Sequence, residues 1–281
     1  MMRVMKALLH PSIRLAAALA LATALWGCAS SGSSPATNSS GSQVSKSGDV
    51  VTDSDEPEAR KRARIRMELA TGYFEQGQTT VALDEVKQVL AIDPSFGEAF
   101  NLRGLIYMRL NDPGLAEDSF KRALAINPRD ANSAHNYGWL TCQQKRYAES
   151  EAWFNQVMNN ATYGRRAQTL MTQGVCQMAA GDNVKAERSF ARSYELDAGN
   201  PISGYNLSSL LYQRGDFTRA QFYIRRLNNS ELANSESLWL GIKVERRLED
   251  RVAMSQLADQ LKKRFPQSKE LLSYERGRFD E

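Results

Sequence analysis

From Pro57 to the end of the chain, hydrophobic positions recur three and four residues apart, in blocks separated by short polar turns. That is the spacing of an apolar stripe on an α-helix, and it predicts an all-α architecture. The blocks also repeat as a unit. GEAFNLRGLIYMRLNDPGLAEDSFKRALAINPRD, Gly97 to Asp130, carries Phe100, Gly104 and Tyr107 in its first half, Ala116, Phe120 and Ala123 in its second, and Pro128 near its end. Upstream the same register holds Ala70, Tyr73, Gly77, Ala82, Val86 and Pro94; downstream it holds Tyr137, Gly138, Ser150, Phe154 and Val157. After a two-residue slip between Ala161 and Arg166 come Leu170, Gly174, Gly181, Ala186 and Phe190, then Leu207, Ser208, Leu211, Gly215, Ala220 and Ile224. A weaker sixth copy has Leu238, Ile242, Ala253, Leu257, Leu261 and Pro266.

This spacing resembles the tetratricopeptide repeat, a pair of antiparallel helices that stacks into a superhelix. Small residues at one site (Gly104, Gly138, Gly174, Ser208) and at another (Ala82, Ala116, Ser150, Ala186, Ala220) let the two helices of a repeat approach closely. No single pair buries its own apolar face, so stability requires stacking. The expected fold is a superhelix of about six helix-turn-helix repeats over residues 57–281. LLSYERGRFDE, with Leu271, Leu272 and Tyr274, is expected to form a capping helix over the open end.

In such a superhelix the first helix of each repeat lines a concave groove. The groove-facing trios are then Met67, Thr71 and Phe74; Asn101, Leu105 and Met108; His135, Trp139 and Cys142; Met171, Val175 and Met178; and Tyr205, Ser209 and Tyr212. A face meant only for water would be charged. Aromatics, methionines and aliphatics instead suit an apolar or amphipathic polypeptide. The alternative is that these side chains cover one another across the superhelix.

The composition, 281 residues with 42% hydrophobic and 24% charged, is that of a globular chain. A mean hydropathy of −0.48 and the lack of a long apolar run argue against a membrane span. The first 27 residues differ. Arg3, Lys6 and Arg14 precede the apolar Leu15–Leu25 stretch, the layout of a secretory signal. Leu25, Gly27 and Cys28 resemble the lipobox of bacterial lipoproteins, which implies cleavage before Cys28 and acylation of it. Ala29 follows, rather than the Asp that in such lipoproteins signals inner-membrane retention, so the implied address is the periplasmic face of the outer membrane. Residues 28–56 are rich in Ser and Gly and poor in large apolar residues, the composition of a flexible tether. The formal charge of +4 includes three basic residues of the signal. The rest is close to neutral and lacks the electrostatic footprint of a nucleic-acid binder.

Two further thiols, Cys142 and Cys176, fall on the first helices of consecutive repeats. In an oxidising compartment a disulfide between them is reasonable; otherwise they are two half-buried thiols packed as small hydrophobes. The chain holds two histidines, and His10 lies in the signal. No phosphate-binding glycine loop, zinc-protease motif or nucleophile–base constellation occurs, so neither enzyme, metal nor cofactor is expected.

Lipobox, tether and repeats together resemble the type IV pilus biogenesis/stability lipoproteins, the PilF/PilW group called pilotins. The most specific part is AHNYGWLTCQQKRYAESEAWF, where Asn136, Tyr137, Gly138, Cys142, Gln143, Arg146, Tyr147 and Glu149 match the family's pattern. The resemblance implies a non-enzymatic factor that binds the pilus secretin and helps it reach the outer membrane and multimerise. A general scaffold lipoprotein of the cell envelope, serving outer-membrane protein assembly or cell-wall hydrolases, would share anchor and fold.

Overall fold

A computed structural model of the chain describes residues 57–279. Cys28, the signal and the Ser/Gly-rich segment lie outside the described residues. Those described form thirteen α-helices and no strand: α1 (Glu58–Glu75), α2 (Thr79–Ile92), α3 (Gly97–Arg109), α4 (Pro113–Ile126), α5 (Ala131–Gln143), α6 (Tyr147–Met158), α7 (Arg166–Ala179), α8 (Asn183–Leu196), α9 (Pro201–Gln213), α10 (Phe217–Asn228), α11 (Ser235–Arg247), α12 (Arg251–Arg264) and α13 (Lys269–Glu275). Consecutive helices pair as six antiparallel hairpins, and α13 packs on α11 and α12. The expected tetratricopeptide superhelix, with its cap, is the observed fold.

One turn builds every hairpin. Between paired helices sits one residue in the left-handed region: Gly77, Asn111, Lys145, Gly181, Gly215 and Glu249. Glycine takes this conformation freely, whereas the lysine and the glutamate there carry a steric penalty. Aspartates then start α4, α8, α10 and α12, with the carboxylates of Asp112, Asp182, Asp216 and Asp250 each accepting a backbone N–H of the first turn. The slip between repeats three and four is the longer α6–α7 connection, pinned where the Tyr163 hydroxyl donates to Asn132 Oδ1 at 3.0 Å.

Within each hairpin the approach is set by size matching. A Cβ added to Gly104 would stand 2.4 Å from the Phe120 ring, and at Gly174 it would stand 2.8 Å from Phe190. Gly138 is similarly tight against Phe154, at 3.0 Å. Where the opposing residue is smaller, the site tolerates more. Ala70 stands at this position with Val86 opposite, and Ser208 with Ile224, all four fully buried. The degenerate sixth repeat departs from the rule: its equivalent positions are Ile242 and Ala258, so the larger residue stands on the first helix, and both are buried in one cluster. Steric fit at one pair of positions therefore holds the first five hairpins to a common geometry.

Candidate partner-binding groove

First helices converge while second helices splay. α1 touches α3, α3 touches α5, α5 touches α7, and α9 touches α11, whereas second helices make no comparable approach among the described residues. The side on which like helices converge is the inner side of the superhelix. α7 and α9 stand further apart. Met171, Val175, Met178, Tyr205 and Tyr212 pack into one cluster there.

Ten of the groove residues expected from the repeat register are half-buried: Asn101, Leu105, Met108, Trp139, Met171, Val175, Met178, Tyr205, Ser209 and Tyr212. They rest on the core beneath and keep part of their surface toward solvent. Trp139 lies against the Cys142, Phe154 and Cys176 cluster; Leu105 and Met108 lie on the core of repeats two and three. Asn101 is partly committed, since its Oδ1 accepts from Asn136 Nδ2 at 2.9 Å. At the N-terminal end the Arg109 guanidinium sits 3.9 Å over the Phe74 ring and donates to the Phe74 carbonyl at 2.7 Å.

Two expectations need correction. His135 and Cys142 do not face the groove; they are only 8% and 5% exposed. At about 100° per residue they lie some 40–60° around α5 from Trp139. That rotation turns them into the α5–α7 seam. There His135 Nδ1 lies 3.0 Å from Thr169 Oγ1, and its ring meets Phe154 edge-on. Burial, aided by the Arg165 charge, lowers the His135 pKa to about 4. Cys142 is joined to Cys176 in a disulfide with Cα atoms 5.9 Å apart. The Ser150 hydroxyl lies 3.4 Å from Cys176 Sγ and also donates to the Gly138 carbonyl at 2.7 Å.

The repeat-three motif that carries the family resemblance builds joints. Tyr137 donates to Glu117 Oε1 at 2.9 Å, and Arg146 donates to Glu117 Oε2 at 2.8 Å while also gripping Glu149. Burial opposes ionisation of Glu117, but hydrogen bonds from Arg146, Lys121 and Tyr137 prevail and hold its pKa near 2. Glu117 and Arg146 clasp repeat two to repeat three. Lys185–Glu151 at 3.0 Å and Arg214–Glu187 at 2.8 Å link the following pairs.

The sequence reading missed the groove's sixth trio. Carrying the thirty-four-residue step forward from Tyr205, Ser209 and Tyr212 lands on Trp239, Lys243 and Arg246. Trp239 is 8% exposed, covered by Tyr274 and Phe279 with ring centroids at 6.5 and 5.3 Å. Arg246 sits 4.0 Å over the Phe279 ring. The C-terminal segment thus closes one end of the groove. Beside it lies a cleft of about 540 Å³ lined by Tyr205, Glu236, Lys243, Glu270 and Leu272, among others. No helix among the described residues is long and apolar enough to cross a membrane, and no cluster of His, Cys, Asp or Glu is set to hold a metal.

Comparison with known proteins accords with this geometry. The tetratricopeptide-repeat family profile matches residues 97–130. The type IV pilus assembly protein PilF of Pseudomonas aeruginosa is 26% identical over 264 residues, which covers 94% of this chain and 98% of PilF. A solved structure of Pseudomonas aeruginosa PilF superposes with a TM-score of 0.70 at 27% identity, covering 78% of this chain and 99% of that one. PilW, described as a widely conserved type IV pilus biogenesis factor, gives 0.66 at 28% identity, covering 75% and 97%. This chain is a tetratricopeptide-repeat protein related over most of its length to the type IV pilus proteins PilF and PilW.

Proposed function

We propose that this protein is a non-enzymatic assembly factor of the type IV pilus, held at the periplasmic face of the outer membrane by acyl chains on Cys28. Its groove binds a segment of the pilus secretin and promotes that protein's outer-membrane localisation and multimerisation. The observation that supports this most is the half-buried apolar wall of Leu105, Met108, Trp139, Met171 and Tyr205 along converging helices. It belongs to a chain aligned with PilF over 94% of its length. Such a wall loses further apolar surface to water when a polypeptide lies on it, which favours binding at about 25 cal/mol per Å². The anchor adds no contact energy but raises the local concentration of the groove at the membrane.

Site-specific photocrosslinking from position 139 or 205 tests the reading. Secretin adducts, with monomeric secretin accumulating in the deletion strain, are the expected result. Adducts to outer-membrane assembly components or cell-wall hydrolases would favour a general scaffold lipoprotein and overturn the pilus assignment. For the anchor, Cys28→Ser is expected to release the protein from the membrane fraction.

A further inference from the structure

Second helices form the outer, splayed side of the superhelix, and on two of them one ridge carries an unusual mixture. In α8 the residues four apart, Val184, Arg188, Arg192 and Leu196, all face solvent, with Val184 65% and Leu196 56% exposed. On α10 the thirty-four-residue step from the two arginines gives Phe222 and Arg226, and Phe222 is 64% exposed. Its ring meets Tyr223 edge-on at 5.1 Å, and Tyr223 meets Tyr194 of α8 at 4.9 Å, so the protruding phenyl has a packed base. The Arg226 guanidinium lies 5.9 Å from the Tyr194 ring centroid. Arg188, Arg192 and Arg226 make no ion pair with a described residue, whereas their neighbours Lys185 and Arg219 are taken by Glu151 and Glu187. Glu195 is the one carboxylate of α8 and α10 outside such pairs. At the place of Arg188 and Phe222 the other repeats put Asp84, Asp118, Ala152 and Gln256, so this is not the ordinary outer face of the repeat.

We propose that the outer face of repeats four and five is a contact with an anionic phospholipid bilayer. Arg188, Arg192 and Arg226 meet lipid phosphates, while Phe222, Val184 and Leu196 enter the boundary between headgroups and acyl chains. The inference rests on the reading that acyl chains on Cys28 hold the protein at a membrane, and adds which face of the repeats turns to it. Apolar side chains set among cations are the layout of interfacial binding: the charges find the surface and the protruding groups leave water. Guanidinium forks match phosphate oxygens in pairs, which a compact ammonium does not. Shape favours lipid over a polypeptide, because a convex face lies tangent to a flat surface, whereas an extended segment gains more contact in the concave groove. A weak contact is enough, since the anchor supplies the local concentration. With its outer side on the lipid, the protein turns the groove away from the bilayer and leaves it open to a partner.

The test floats the mature chain, from position 28 on and with Cys28→Ser so that no acyl chain contributes, on two kinds of vesicle. One holds phosphatidylethanolamine with phosphatidylglycerol, the other phosphatidylcholine alone. Binding to the anionic vesicles is expected, weakened about fivefold by each of Arg192→Gln and Arg226→Gln and suppressed at about 0.5 M salt. Phe222→Ser is expected to weaken it about tenfold at any salt concentration. Lys87→Gln, which removes an exposed cation of repeat one, should leave binding within about twofold, and unchanged melting curves show that the variants fold. Equal binding to both vesicles, or binding indifferent to the arginine and Phe222 variants, would overturn the lipid contact. If the variants instead reduce capture of a protein partner and no vesicle binding is seen, the face docks protein and the inference fails. The mass of the wild-type protein separates the two readings. Failed flotation with Cys28 acylated overturns this contact alone, whereas an unacylated Cys28 overturns the anchor on which it rests.

Discussion

The hydroxyl of Tyr137 reaches back from the third repeat to donate a 2.9 Å hydrogen bond to Glu117 of the second, whose other oxygen is held by Arg146. Burial raises the Tyr137 pKa, and the bond to Glu117 raises it further, so the phenol stays a donor across the physiological range. Tyr137→Phe should remove that bond while keeping the ring packed on Trp153 at 5.0 Å. A loss of about 1 kcal/mol in urea unfolding is expected, with crosslinking from position 139 unchanged. Tyr137→Ala also removes a fully buried ring and should cost about 3–5 kcal/mol.

Size matching between Gly104 and Phe120 predicts a rescue. Gly104→Ala forces a Cβ into the Phe120 ring, for an expected loss of about 1–3 kcal/mol. Combining it with Phe120→Val copies the Ala70–Val86 pair of the first repeat. The double variant should be more stable than the sum of the two single changes implies, by at least about 1 kcal/mol, measured in a double-mutant cycle. Strict additivity would count against the size-matching account.

Acid sensitivity is expected from His135. It is neutral in the fold with a pKa near 4, against 6.5 for a free histidine, so the unfolded chain binds more protons between those two values. Stability should therefore fall as the pH drops from about 6.5 to 4, by at most about 3 kcal/mol, and this group adds nothing below that. Glu117 acts from the opposite side. Its depressed carboxylate pKa stabilises the fold above pH 4.5, and that contribution is lost toward pH 2. His135→Gln should flatten the slope between pH 4 and 6.5 in thermal melts while leaving the steeper loss below it.

Reducing the Cys142–Cys176 disulfide opens a loop spanning thirty-four positions. Loop-closure entropy puts the loss at roughly 3–4 kcal/mol. Because repeats contact only their neighbours, hydrogen exchange should rise mainly in α5 to α8, with α1, α2 and α12 little changed.

Lys145 and Glu249 occupy left-handed positions that Gly77, Gly181 and Gly215 fill in other repeats. Glu249→Gly should raise stability by about 0.5–1 kcal/mol, since relief of the steric penalty exceeds the added chain entropy of glycine. A lower melting temperature would show that the Glu249 backbone is not strained.

Periodicity alone carried the helix pairs, the hairpin turns, the small residues at the contact points and the cap, because each depends on residues within one hairpin or its neighbour. Gly104 and Phe120 are sixteen positions apart, and the same pairing recurs at Gly138 with Phe154 and Gly174 with Phe190. Such spacing is visible without coordinates. Only tertiary structure decided that His135 and Cys142 turn into the α5–α7 seam while Trp139, between them on the same helix, stays on the groove wall. Nor could a linear pattern show that Tyr274 and Phe279 return over Trp239. Those outcomes follow from the rotation of each first helix against the next and from where the chain end folds back, and a repeat register contains neither.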